Sequence, residues 1–137
     1  MRSEKKKKAD LNKIDEASFK EEVTHIDEKD VEIIFQNEEK IHRKVKRKGP
    51  LKKYIDVVRL MFSMVKDYKQ GTYREVPWNT IASIALVLLY VLNPLDIIPD
   101  FLPVFGLLDD ASVLALALKL IKNDLDLYAE WKRLPGN

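Results

Sequence analysis

Four carboxylates and a set of helix-breaking residues concentrate the chemical potential of this sequence in one place. Asp96, Asp100, Asp109 and Asp110 stand in the stretch NPLDIIPDFLPVFGLLDD, residues 93–110, with Pro94, Pro99, Pro103 and Gly106 and no basic residue among them. Carboxylates at this density could hold Mg²⁺ or Ca²⁺, or could share acid and base roles. Their spacing differs from the alternating aspartates of a calcium loop, and His25 and His42 lie far upstream. A phosphate-cradling glycine loop, GxSxG and HExxH are all missing from the sequence. The chain has no cysteine, which excludes disulfides, thiol catalysis and zinc–thiolate sites.

Each of these residues also has a structural task that follows from its position. Asn93 is a good N-cap, Pro94 suits a first helical position, and Asp96 stands where a capping-box carboxylate reaches back. Pro99 limits that short helix, Asp100 can cap a second brief turn containing Pro103, and Gly106 lets the chain reverse. Asp109 or Asp110 can cap a final long helix, and both favour its positive end. The stretch is therefore read first as a capped turn and second as an ion site of unspecified metal, with no catalytic residue assigned and no cofactor called for.

The flanking segments explain what such a turn would connect. Trp78 to Leu92 is apolar on every side from Ile81 onward, and a second apolar run spans Ala111 to Ile121. A helix apolar all round is enclosed by protein or by lipid. At about 1.5 Å per residue the first run reaches roughly 23 Å, short of the ~30 Å hydrocarbon core. Upstream, Leu51, Ile55, Val58, Met61, Phe62, Val65 and Tyr68 recur at helical spacing between Pro50 and Gln70, and Gly71 supplies a stop. That amphipathic helix either packs on a core or lies on an anionic membrane surface. Residues 1–48 form a charged arm, partly disordered and partly helical. Val31, Ile34, Phe35, Ile41 and Val45 make a narrow apolar stripe there, with Thr24 paired with Asp27, or Asp30 alone, available to cap it.

Charge is distributed unevenly although the formal net charge is only +2. Not one Lys or Arg lies between Arg74 and Lys119, whereas Arg43 to Lys53 is crowded with them. A hydrophobic hairpin over residues 78–122, with basic residues at its entrance and exit, fits the positive-inside pattern and would leave both termini cytoplasmic. No signal-peptide pattern follows the basic N-terminus, which agrees with that orientation. Nucleic acid is an unfavoured partner, because the arm carries nearly as many acids as bases and lacks interleaved aromatics.

The run YVLNPLDIIPDFLPVFGLLDDASVLALAL resembles the signature of the YkvA-type family, a domain of unknown function numbered 1232. Pro94, Asp96, Pro99, Asp100, Pro103, Gly106, Asp109 and Asp110 match its approximate pattern SPIDLIPDFIPVLGxLDD, and Asn93 replaces the usual Ser with an equivalent cap. The resemblance implies a small membrane-associated protein with a hydrophobic helical pair and brings no established activity. The expected fold is all-α, a bundle of about four helices built on the hairpin, with the YkvA-type domain over residues 49–134. The expected role is a non-enzymatic anchor, scaffold or regulator at the bacterial inner membrane or its cytoplasmic face. The alternative is a cytoplasmic, self-associating helical module, followed by a divalent-metal enzyme using the aspartates.

Overall fold

A computed structural model describes residues 16–47, 49–92 and 110–136. Residues 16–23 form helix α1. They are followed by α2 (Glu28–Gln36), α3 (Glu38–Arg47), a 3-10 helix (Gly49–Tyr54), α4 (Ile55–Gln70), α5 (Trp78–Leu92) and α6 (Asp110–Arg133). The fold is all-α, and the described residues contain no strand.

Local chemistry sets most boundaries. Asp27 caps α2: its Oδ1 accepts from the amides of Lys29 and Asp30, at 2.9 and 3.2 Å, while Asp30 Oδ2 accepts from the Asp27 amide at 3.0 Å. This reciprocal box satisfies donors that a helix start otherwise leaves bare. The box is thus shifted from the expected Thr24–Asp27 pair or Asp30 alone to Asp27–Asp30, and Thr24 instead donates to the Glu21 carbonyl in the preceding turn. Asn37 divides what the stripe suggests is one helix. Its side-chain amide donates to the Ile33 carbonyl at 2.8 Å, and its own carbonyl accepts from the Ile41 amide at 2.9 Å, closing α2 and opening α3.

Gly71 ends α4 in the left-handed region, at φ 82°. The amide of Thr72 bonds the Asp67 carbonyl and that of Gly71 bonds the Tyr68 carbonyl, the Schellman pattern. A Cβ at this position meets no neighbour, so the whole penalty of a substitution lies in the backbone. Gly71→Ala is expected to cost about 1–2 kcal/mol, read as a lowered urea midpoint with an unchanged denaturant slope.

Helix α5 occupies the centre. It packs against α2, α3, α4 and α6, and no residue from Ile81 to Leu92 exposes more than 8% of its surface. One chain thus encloses an all-round apolar helix without a second copy. The arm makes this possible. Phe19 and Val23 of α1, Val31 and Ile34 of α2, and Ile41 and Val45 of α3 all belong to the same buried core as α5. The apolar face of α4 enters that core too, through Val58, Met61, Phe62 and Val65, so that face is not free to enter a membrane.

Helix α6 runs unbroken for 24 residues, well past the end of the apolar run at Ile121. Val113, Leu114, Ala117, Ile121, Leu125 and Tyr128 form its buried stripe, while Leu127 is 51% exposed. Among the described residues no helix is long and apolar enough to cross a membrane. The expectation of a transmembrane helix therefore finds no support here: α5 is apolar but has only 15 residues, and α6 is longer but carries charge along its second half.

Candidate functional site

Of the residues singled out in the acidic turn, only Asp110 is described, as the first residue of α6. Asn93, Pro94, Asp96, Pro99, Asp100, Pro103, Gly106 and Asp109 lie outside the described residues. Among the described residues no three His, Asp or Glu side chains gather in an arrangement that could hold a metal ion.

The structure brings together a different set of polar groups. Asp67, on α4, is buried at 8% exposure. Its Oδ2 accepts from the Tyr128 hydroxyl at 2.5 Å and from Lys132 Nζ at 2.9 Å. Ser63 Oγ lies 2.5 Å from the same phenol oxygen. Because Tyr128 gives its proton to Asp67, Ser63 is the donor in that contact. The pairs Ser63–Tyr128 and Asp67–Lys132 advance together by one helical turn, so α4 and α6 run parallel here. Tyr73 meets Tyr128 edge-on, with ring centroids 5.0 Å apart, and contacts Trp131 at 4.8 Å. These rings pack an apolar wall beside the polar chain.

The electrostatics make this network a lock. Burial alone would raise the Asp67 carboxyl, but the hydrogen bonds from Tyr128 and Lys132 and the charges of Lys132 and Lys66 bring it below its ordinary range. Burial and the bond to Asp67 push the Tyr128 phenol well above its usual value. At neutral pH the acid is therefore ionised, the phenol is protonated, and each state is the one the other needs. Acid–base catalysis needs groups poised near the working pH, and both of these are driven away from it.

Two further contacts use polar residues of α5. Thr80 Oγ1 donates to Asp124 Oδ2 at 2.5 Å, fixing the start of α5 beside the second half of α6, so that the two helices run antiparallel. At the other end Lys44 Nζ donates to the carbonyl of Leu92, the last residue of α5. A cation at a helix C-terminus is favoured by the aligned peptide dipoles. Lys44 thereby brings the basic segment of α3 to the C-terminal end of α5, next to the start of the acidic stretch in sequence. His42 packs on Phe62 with centroids 5.0 Å apart. Its pKa is lowered chiefly by burial, aided by Arg59 and Lys46 against the opposing pull of Glu38.

A surface cleft of about 480 Å³ lies between α2, α4 and the start of α5, lined in part by Glu32, Tyr68, Lys69, Arg74 and Trp78. Lys69 pairs with Glu32 across it, and Arg74 stacks over the Tyr68 ring at 4.7 Å.

Sequence reading missed the Asp67 network because its members stand 61 to 65 residues apart. One signal was available: Asp67 follows Met64 by three positions and so falls on the apolar face of α4, where a carboxylate requires a partner.

The family model described as "Protein of unknown function (DUF1232)" matches residues 80–116. The chain is 39% identical over 88 residues to "Uncharacterized membrane protein YkvA" of Bacillus subtilis (strain 168), an alignment that covers 64% of this chain and 82% of the relative. No solved structure matches.

Proposed function

Because the chain belongs to the YkvA-type family of proteins of unknown function, we propose that it is a non-enzymatic, membrane-associated protein that anchors, scaffolds or regulates a partner. The observation that carries this reading is the 39% identity over most of a relative named as a membrane protein. The burial of α5 shapes it. A helix wrapped by α2, α3, α4 and α6 has no bare apolar surface to offer lipid, so association proceeds through the outer surface of the folded bundle. The protein would then sit at the cytoplasmic face of the bacterial inner membrane, with both termini on that side.

Cell fractionation tests this reading. The full chain is expected to pellet with membranes at low salt and to be released, without detergent, by high salt or alkaline carbonate. Retention in the pellet after carbonate would mean that a segment spans the bilayer. Recovery in the supernatant at low salt would overturn membrane association altogether.

A further inference from the structure

Lys40, Arg43, Lys46 and Arg47 on α3 and Lys52 and Lys53 on the 3-10 helix are all exposed, and their arrangement is fixed by what lies behind them. Ile41, Val45 and Leu51 are at most 1% exposed and turn inward to the core, and α3 packs along the 3-10 helix. The outward side of both elements is therefore left to the cations. No acidic residue occurs between Glu39 and Asp56 to neutralise them.

The contrast with other basic residues is informative. Lys20, Arg59, Lys69, Lys119, Lys122 and Lys132 each have a carboxylate within 4.0 Å. None of the six cations on the α3 face forms an ion pair among the described residues. Lys29, Lys66, Arg74 and Arg133 also lack an ion pair among the described residues, but they stand on different elements, whereas the α3 face gathers six such cations and so concentrates positive potential.

Resting on the membrane-associated reading above, we propose that this α3 face is the surface by which the protein docks on anionic lipid headgroups. Three features favour a bilayer as the occupant. Four of the six cations are lysines, compact point charges that suit phosphate without demanding planar, bidentate geometry. Headgroups diffuse laterally and can match an irregular charge array, whereas an acidic protein patch must match it residue by residue. The apolar residues of α3 are consumed by the core, so the attraction is electrostatic and salt-sensitive, without helix insertion.

Co-sedimentation of the full chain with vesicles tests the proposal. Vesicles containing phosphatidylglycerol are expected to bind the protein at low salt and release it at high salt, and pure phosphatidylcholine vesicles are expected not to bind. The combined variant Lys46→Gln, Arg47→Gln, Lys52→Gln and Lys53→Gln should weaken partitioning on the order of a thousandfold. A matched variant, Lys20→Gln, Lys119→Gln, Lys122→Gln and Arg133→Gln, removes the same number of charges elsewhere and should bind nearly as wild type. Circular dichroism and thermal melting confirm that both variants stay folded. Equal weakening in the two variants would reduce the effect to net charge and overturn the assigned face. Tighter binding to duplex DNA than to anionic vesicles at the same salt would also overturn it, in favour of a nucleic-acid surface. Membrane pelleting in cells that survives the α3-face substitutions sinks this proposal but spares membrane association, whereas failure of the unmodified chain to pellet sinks both.

Discussion

Removing residues 1–47 is expected to abolish cooperative unfolding of the remaining chain and to make it aggregate unless detergent is present. The deletion strips Phe19, Ile34 and Ile41, each 0% exposed, from the core around α5. Truncating a buried phenylalanine typically costs about 3–5 kcal/mol and a buried isoleucine about 2–5 kcal/mol. Taken with Val23, Val31 and Val45, the loss is comparable to the whole stability of an ordinary domain, about 5–15 kcal/mol. A milder version, Phe19→Ala in the full chain, should lower stability by about 3–5 kcal/mol in urea unfolding followed by circular dichroism. If residues 48–137 instead unfold with the full-length midpoint and slope, the arm is an appendage and the enclosure of α5 must come from elsewhere. Under a membrane-hairpin reading the arm would be dispensable for the fold, so this measurement separates the two arrangements.

Sequence periodicity identified the elements more readily than their partners. The bounds of α5 coincide with the apolar segment Trp78–Leu92, and Gly71 stops α4 where its composition suggests. Both features are local, set by hydropathy and by the one residue type that accepts a positive φ cheaply. What α5 packs against is a long-range matter, since a stripe shows which face is apolar and says nothing of which face it meets. The arm carries few apolar residues among many charges, so its narrow stripe does not by itself show which partner would order it. Phe19 and Val23, four residues apart, supply a full turn of contact that the stripe from Val31 to Val45 did not include. Its helices cover α5, which removes the argument that lipid or a second copy had to do so.

The polar residues of α6 are hard to place from sequence for a related reason. Asn123 and Asp124 follow soon after the apolar run, yet the helix continues through them, and Asp124 accepts from Thr80 of α5. A residue type that often caps also serves when a buried hydroxyl on the facing helix needs an acceptor. For the site the division is sharper. The acidic turn announces itself by composition and marks the family, yet of its aspartates only Asp110 falls in a described element. The Asp67 network left almost no trace, because hydrogen bonds between helices have no sequence periodicity.

Asp67→Ala is expected to destabilise the protein by about 2–4 kcal/mol, since it removes two hydrogen bonds to an ionised acceptor and leaves the Tyr128 hydroxyl buried without one. The lower part of that range allows for Lys132, whose side chain is 42% exposed and can regain water. The pH dependence identifies the cause. The folded-state pKa of Asp67 lies below its unfolded value, so its contribution is complete above about pH 4 and is lost as pH falls through the lower folded value. Tyr128 has the opposite sign. Its folded pKa is raised, so its contribution is complete below about pH 10 and is lost as pH rises toward the folded value; Tyr73, raised chiefly by burial, adds to the same edge. Stability measured by urea unfolding should therefore be level between these limits and fall at both. Asp67→Asn should flatten the acid edge, and Tyr128→Phe should flatten the alkaline edge at a cost of about 1 kcal/mol at neutral pH. An acid edge unchanged in Asp67→Asn would show that Asp67 is not held ionised by Tyr128 and Lys132, and the lock between α4 and α6 would then rest on packing alone.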